Sequence, residues 1–287
     1  MLSRKIGIDL GTSAVRMYVK GEGIVVDEPS GPVPDRDSTR TLHQLIGKAK
    51  GRPRLFKPEV IVSVPSAVTS SQRRALTEAA ISAGARQVWL IDEPLAAAMG
   101  AGLPIGEVRA CGICEIGAGT TEVAVISLSG MVVAQSIPVG GDRLDEAIVD
   151  YLHHRRNLTV TRRDAELIKI AVGSAVRLEQ PLVHEIGGGR ITSNEIAEAV
   201  QNPLRSVADA IRAVLAEAPT QLAADVRGRG LVLSGGAAQL RGLAEFITAE
   251  TGIPSVVAND PQTSVVRGTG LALDNFEVLR RNQSYLR

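Results

Sequence analysis

Cysteine, long apolar runs and net charge are all scarce in this sequence, and each shortage argues against a class of protein. The two cysteines, Cys111 and Cys114, lie together in one predicted strand. A redox CxxC pair stands at the start of a helix. Because that context is missing here, buried thiols are favoured over a redox pair.

No apolar run reaches the roughly 18 residues that a membrane-spanning helix needs. Residues 1–5, which precede the first apolar run, are too few to form a signal peptide. On these grounds we expect a cytoplasmic protein.

The charge is almost balanced, with 32 basic and 31 acidic side chains and a net charge of +1. This balance gives no electrostatic case for a nucleic acid as the main partner. The 287 residues, 44% of them hydrophobic, suffice for one large domain or two ordinary ones.

The most informative stretch is GIDLGTS at residues 7–13, where an apolar strand ends in Asp9 and a glycine turn. A Gly-Thr-Ser corner between two strands can direct backbone N–H groups and hydroxyls at a phosphate, and Asp9 could hold a metal ion there. Taken alone the signal is weak, because the same residues also form ordinary hairpins.

The chain repeats this pattern at residues 114–120, which read CEIGAGT. Glu115 takes the place of Asp9, and an alternating strand and a second hairpin again follow the turn. Such a duplication predicts two α/β lobes, each with three hairpinned strands followed by βα units. Glycine turns from both lobes would then face each other across a cleft and hold a nucleotide phosphate.

The hydrophobic periodicity predicts further elements along the chain. The predicted strands include residues 60–64, 87–91, 108–116, 230–233 and 254–258, and residues 183–191 form a clipped hairpin. The predicted helices cover about residues 39–50, 71–83, 142–156, 162–177, 194–217, 238–251 and 262–274.

Several spaced motifs together resemble the actin-like ATPase superfamily and, within it, the MreB/Mbl family of bacterial actin-like proteins. They are GIDLGT at 7–12, VPS at 64–66, Glu93-Pro94, TTEVAVIS at 120–127, VGGDRLDEAI at 139–148 and RGTG at 267–270. The resemblance implies an α/β, actin-like (ribonuclease H-like, duplicated) two-lobe fold with ATP and Mg²⁺ in the cleft.

The resemblance also implies roles for particular residues. Asp9 and Glu115 would hold Mg²⁺ through its bound water. The implied nucleotide-binding positions are Gly11, Thr12, Ser13 and Ala14, then Gly117, Ala118, Gly119 and Thr120, then Gly235, Gly236, Ala237 and Ala238, with Glu166 and Lys169 near the base or ribose. Alternatives stay open: Glu166 and Lys169 could be an exposed i,i+3 pair, and residues 234–236 a tight strand–helix turn.

The sequence departs from the family pattern at four positions of the predicted site. Glu115 replaces an aspartate, and Ala118 and Ala237 replace glycines beside which a phosphate or the adenosine would lie. Gln72 stands where bacterial members have a glutamate, so it could orient an attacking water but could not take its proton. The alternative is that Gln72 is a plain surface residue.

The outer subdomains are expected to be reduced, with lobe I at residues 1–104 and lobe II at residues 105–287. Only residues 31–58 stand where the family inserts a subdomain in lobe I, and residues 176–225 form a trimmed counterpart in lobe II. The pattern resembles shortened Mbl-like members from filamentous actinobacteria. In the family these subdomains cover the cleft and make filament contacts, so their reduction should weaken polymerisation and nucleotide binding.

The loop at residues 52–57 carries Leu55 and Phe56 between cationic side chains. Such a loop could touch an anionic membrane surface, as the resemblance implies for this tip; the alternative is that both side chains pack as core. The expected partners are the chain itself, full-length MreB-like proteins, and cell-wall or membrane morphogenesis proteins.

Three functions are therefore in competition. The first is an ATP-binding cytoskeletal or scaffold protein with slow or regulatory hydrolysis. The second is a pseudo-ATPase that binds partners without turnover. The third is a small-molecule kinase of the same superfold, which would need an acceptor pocket and a base aspartate that the sequence does not show.

Overall fold

The computed structural model describes residues 4–30, 38–49, 57–186 and 189–274. Its strands are β1 (Lys5–Leu10), β2 (Ala14–Val19), β3 (Gly23–Pro29), β4 (Glu59–Val64), β5 (Gln87–Asp92), β6 (Cys111–Ile116), β7 (Thr121–Ser127), β8 (Gly130–Ile137), β9 (Val183–Ile186), β10 (Gly189–Thr192), β11 (Leu231–Ser234) and β12 (Ser255–Val257).

Its α-helices are α1 (Ser38–Ala49), α2 (Ser70–Ser82), α3 (Glu93–Gly100), α4 (Gly141–Arg156), α5 (Arg162–Val172), α6 (Ser193–Ala199), α7 (Gln201–Glu217), α8 (Thr220–Arg229), α9 (Leu243–Thr251) and α10 (Ser264–Asp274). Two short 3₁₀ turns, Gly236–Gln239 and Pro261–Thr263, complete the set. Within the described ranges, no helix has both the length and the apolarity needed to cross a membrane.

Two five-stranded sheets share one topology, which confirms the predicted two-lobe α/β fold. The first has the order β3-β2-β1-β4-β5 and the second the order β8-β7-β6-β11-β12. In each, three antiparallel hairpinned strands are extended by two parallel strands on the other side of the first strand. Strand β4 is buried along nearly its whole length in the middle of the first sheet, which is why it reads as a near-continuous apolar run.

Three predicted helix boundaries were wrong. The helix predicted at 162–177 ends at Val172, and an isolated bridge between Ser174 and Arg241 follows. The segment 194–217 is two helices, because Pro203 fits only the first turn of a helix and α7 starts anew at Gln201. The predicted helix at 238–251 begins at Leu243, after Gly242 in a left-handed conformation with φ 73°.

Two further differences concern the second lobe. Helix α8 was not predicted, and β6 begins at Cys111 rather than at residue 108. The clipped hairpin at 183–191 is present as β9 and β10. The predicted lobe boundaries stay a prediction. Helix α10 falls within the predicted second lobe, yet it packs against α3 and the first sheet.

Helices α3 and α10 cross in unusually close contact between the two sheets. A Cβ added at Gly268 would lie 1.8 Å from the Ala96 carbonyl oxygen, and one at Gly100 would lie 1.8 Å from that of Ser264. The surrounding apolar core takes side chains from both sheets, Ile61 and Ile113 among them. This helix crossing therefore packs against both sheets and connects the two lobes.

We expect Gly268→Ala to lower the free energy of unfolding by about 1–3 kcal/mol or more, because the added methyl group meets backbone that cannot move aside. Urea denaturation followed by circular dichroism measures this. Gly47→Ala in α1 is the matched control. Among the described residues, its added Cβ meets no atom within 4 Å, so it should stabilise by up to about 1 kcal/mol. Equal stability of both variants would contradict the proposed packing constraint.

Candidate functional site

A cavity of about 940 Å³ lies between the two lobes and is lined by glycine turns from both. The first turn follows β1, the second follows β6, and a third follows β11. The residues singled out from the sequence that line it are Asp9, Gly11, Thr12, Ser13, Ala14, Gln72, Glu115, Gly117, Ala118, Thr120, Glu166, Lys169, Gly235, Gly236 and Ala237. The structure thus brings together segments far apart in the sequence.

Two other residues singled out from the sequence, Gly119 and Ala238, are not among the residues that line the cavity. Gly119 faces the first turn, since a Cβ there would lie 3.0 Å from Thr12 Oγ1. Ala238 is fully buried in the core of the second lobe, because the 3₁₀ turn directs it inward. Leu55 and Phe56 lie outside the described residues.

Hydrogen bonds hold the glycine turns in fixed positions. In the first turn, Ser30 Oγ donates to the Gly11 carbonyl at 2.6 Å, and Ser30 N donates to the Ser13 carbonyl at 2.9 Å. In the second turn, the N–H of Gly141 donates to the Gly117 carbonyl at 2.9 Å. The N-terminus of α4 is thereby joined to the second turn.

Acidic side chains converge at the ends of β1 and β6. Burial raises the pKa of Asp9 to about 6, although Arg16 and a hydrogen bond from Ser63 act in the opposite direction. Burial, followed by the charges of Asp9 and Glu122, raises the pKa of Glu115 to about 8. A cation bound here would favour the ionised carboxylates.

The donor set fits a magnesium ion that is shared with a ligand. Among the described residues, no group of three or more His, Cys, Asp or Glu side chains is arranged to hold a metal alone. Mg²⁺ is commonly held by one or two carboxylates, several waters and phosphate oxygens. Asp9 and Glu115, one from each lobe, supply carboxylates of this kind.

Burial is also the main cause of a raised pKa at Glu93, which starts α3 and lines the cavity. Its pKa lies well above the usual range, and the neighbouring charges of Glu115 and Asp9 add to the effect. From the sequence alone, Glu93 stands out only as part of the Glu93-Pro94 motif. Its role in the crowded acidic group depends on contacts between lobes that local sequence does not encode.

Lys169 is fixed by contacts between α5 and α4. Its Nζ lies 2.7 Å from Asp145 Oδ1 and donates to the Gly141 carbonyl at 3.0 Å. Glu166 pairs with Arg163 one turn earlier on α5. Both residues line the cavity, and Asp145 beside them is a lining residue that the sequence did not single out.

The Gln72 side chain caps helix α2. Its Oε1 accepts hydrogen bonds from Thr69 N at 3.0 Å and Thr69 Oγ1 at 2.7 Å, while the backbone N–H of Gln72 donates back to Thr69. This is a capping box, a pattern that Thr-x-x-Gln already signals in the sequence. The amide oxygen is thus engaged at the rim of the cavity.

One hydrogen-bonded pair joins the lobes beside the cavity. Glu122 on β7 accepts from the backbone N–H of Ser66 at 3.1 Å and also from its hydroxyl group. Glu122 is fully buried, and its other oxygen, Oε1, has no hydrogen-bond partner among the described residues. Ser66 follows β4, so this contact links the first sheet to the second.

The family model described as "MreB/Mbl protein" matches residues 30–281, most of the chain. The chain belongs to the MreB/Mbl family. The cell shape-determining protein MreB of Escherichia coli K12 is 38% identical over 331 residues, covering 97% of this chain and 95% of the relative. Mbl of Bacillus subtilis 168 is 33% identical over 331 residues, covering 99% of each.

Two solved structures are similar along nearly the whole chain. MreB5 of Spiroplasma citri bound to ADP has a TM-score of 0.88 at 26% identity, covering 98% of this chain and 99% of the other. The MamK double helical filament has a TM-score of 0.79 at 18% identity, covering 95% and 99%, and shows the likeness of fold alone. The MreB and Mbl alignments exceed the length of this chain, so those relatives carry stretches that it lacks.

We expect stability without metal or nucleotide to fall as the pH rises from about 4.5 to about 8. In this window the folded protein keeps a proton on Glu115 that the unfolded chain releases, so folding is favoured at the acidic end. Glu115→Gln should reduce this dependence, leaving the part due to Asp9 and Glu93, and raise the free energy of unfolding near pH 8 by about 1 kcal/mol or more. Urea denaturation in EDTA near pH 5 and near pH 8 measures both.

The control for this experiment is Glu217→Gln, which removes an exposed carboxylate at the end of α7. It should leave the pH dependence of the wild-type chain in place. An unchanged pH dependence in Glu115→Gln would show that Glu115 titrates normally.

We expect Ser66→Ala and Glu122→Ala to be coupled by about 1 kcal/mol or more, because both remove the same buried, charge-assisted hydrogen bond. A double-mutant cycle of unfolding free energies measures the coupling. Ser127→Ala, at the far end of β7, is the control partner, and its effect should add to that of Glu122→Ala. Additivity in both cycles would mean that the hydrogen bond between Ser66 and Glu122 contributes nothing to the free energy of unfolding.

Proposed function

We propose that this chain is an ATP-binding, actin-like cytoskeletal protein that serves cell shape, cell-wall synthesis or differentiation. The observation that carries the proposal is the cavity into which glycine turns of both lobes open. The E. coli and B. subtilis relatives named above are cell shape-determining proteins, which supports the process. S. citri MreB5 has been solved with ADP and with AMPPNP, which supports the ligand.

The phosphates would lie between the first two turns, where backbone N–H groups and the hydroxyls of Thr12, Ser13 and Thr120 are available. Asp9 and Glu115 would hold Mg²⁺ through bound water, and the ion would supply positive charge to the phosphates. The adenosine would lie toward the third turn. The residues proposed there are Gly235, Gly236, Ala237, Glu166 and Lys169.

Hydrolysis, where it occurs, would be slow. The candidate for orienting the attacking water is Gln72, and its amide oxygen already accepts two hydrogen bonds from Thr69. The remaining amide N–H groups could donate to a water but could not accept its proton. The same observation favours a second candidate function, a nucleotide-bound scaffold that does not turn over. A small-molecule kinase finds no support among the relatives.

The proposed partners are other copies of this chain and full-length MreB-like proteins. Self-association is proposed because the chain belongs to the MreB/Mbl family of actin-like proteins. Cell-wall or membrane morphogenesis proteins are further proposed partners. We propose a cytoplasmic location with peripheral membrane contact through Leu55 and Phe56, by virtue of their apolar side chains between cations.

We expect the chain to bind ATP with Mg²⁺ and Gly236→Val to weaken that binding by about tenfold or more, because the new side chain would occupy the cavity. Gly236 lines the cavity, and among the described residues an added Cβ meets nothing closer than Gln262 Cγ at 3.9 Å, so the fold should tolerate the change. Isothermal titration calorimetry measures the affinity. Gly47→Ala, outside the cavity lining, should bind like wild type.

Phosphate release and sedimentation on the same samples separate the two candidate functions. Binding with sedimentable assemblies and slow release supports the cytoskeletal ATPase. Binding without release supports the scaffold. No binding at millimolar ATP would exclude both.

A further inference from the structure

Arg16 is a basic side chain placed beside the acidic group of the cavity. It lies in the middle of β2, paired in register with Asp9 on β1 and with Asp27 on β3. Its side chain is only 15% exposed and lines the cavity. A charged residue is therefore held, largely buried, next to the first glycine turn.

Within the described ranges, the ionic partner of Arg16 is Asp27. Its Nε lies 3.0 Å from Asp27 Oδ1, yet Nε is buried and, among the described residues, makes no hydrogen bond. The Asp27 side chain is 50% exposed, and an ion pair to so exposed a partner is weak. A guanidinium group has five N–H donors, so Arg16 can accommodate a stronger anion.

The other cations in the described lining are engaged elsewhere. Lys169 Nζ is bound to Asp145 and to the Gly141 carbonyl, and Arg241 Nη1 donates to the Gly173 carbonyl at 2.8 Å. These contacts hold Lys169 against α4 and Arg241 against the end of α5. Of the described lining cations, Arg16 is the one on the strand that follows the first turn and is paired in register with Asp9.

Arg16 already acts on the two proposed metal-holding carboxylates. Its charge lowers the pKa of Asp9 and of Glu115, against the effect of burial. It therefore supplies part of the positive charge that the acidic group needs. A bound phosphate would otherwise meet Asp9 and Glu115 with no compensating cation whenever Mg²⁺ is absent.

We propose that Arg16 binds the phosphate end of the nucleotide and lets this chain retain a nucleoside di- or triphosphate when the divalent cation is removed. The inference rests on the proposed nucleotide site. Guanidinium groups bind phosphate oxygens through paired, charge-assisted hydrogen bonds, which are roughly twice as strong as neutral ones. A fixed arginine thereby takes over a share of the neutralising role of the metal ion.

The test compares ATP affinity with excess Mg²⁺ and with EDTA, by calorimetry, in the wild-type chain, Arg16→Met and Arg16→Lys. Methionine keeps much of the length and the apolar stem, whereas lysine keeps the charge. We expect the wild-type affinity to fall by less than about tenfold in EDTA. Arg16→Met should fall a further ~10- to 100-fold in EDTA, the range for losing a charged hydrogen bond, with a smaller loss in Mg²⁺. The ATP affinity of Arg16→Lys in EDTA should lie between that of the wild-type chain and that of Arg16→Met.

Arg86→Met, outside the cavity lining, is the matched control and should behave like wild type in both buffers. Circular dichroism confirms that each variant is folded. Should Arg16→Met fail to fold, wild type and Arg16→Lys still decide the question, because a wild-type loss in EDTA above about tenfold overturns the inference.

The failures of the two proposals are distinguishable. Wild-type binding in Mg²⁺ with no difference between wild type and Arg16→Met in EDTA overturns the role of Arg16 and leaves the nucleotide site intact. Absence of wild-type binding in Mg²⁺ overturns the proposed function and this inference with it. Loss of wild-type binding in EDTA to the level of Arg16→Met also overturns the inference.

Discussion

Asp9 and Glu115 end equivalent strands of the two lobes, and both carboxylates are buried in the cleft between them. Burial raises the pKa of each, and the charge of Asp9 adds to the rise at Glu115. Positive charge placed here relieves both effects, because it favours the ionised form that burial disfavours. The fold thus concentrates negative charge where the glycine turns approach each other, and the chemistry of the site depends on which cation compensates it.

The approach of these turns depends on packing well below them. Helices α3 and α10 cross at Gly268 and Gly100 so closely that their backbones are in contact, and this crossing packs against both sheets. At the level of the cavity, Ser66 and Glu122 add a buried hydrogen-bonded contact between the sheets. A ligand that touches turns from both lobes therefore acts on lobes that are already in contact beneath the cavity and beside it. Its binding would favour one arrangement of the lobes over others.

The duplicated turns, the sheet architecture and most elements were predictable, because strand periodicity and glycine turns are local signals that the chain repeats. The position of Arg16 at the cavity was not predictable. A charged residue in an alternating strand is expected to face solvent, and only the register with Asp9 places Arg16 at the cavity. The cap made by Gln72 was readable from Thr69-x-x-Gln72 and was overlooked. The break after Val172 has a local signal, since Gly173 caps the C-terminus of α5, whereas the bridge between Ser174 and Arg241 that follows joins residues distant in sequence.

Affinity and turnover depend on different parts of this site. The glycine turns, the two carboxylates and Arg16 are fixed by strand register, buried packing and backbone hydrogen bonds, so the parts that would hold phosphate are preorganised. Gln72 is exposed, and its oxygen is committed to the start of α2. Freeing that oxygen for a water would break the cap, which costs about 1 kcal/mol. A nucleotide could therefore bind and bias the lobes without being hydrolysed, because the lobe contacts that would respond to it do not involve Gln72.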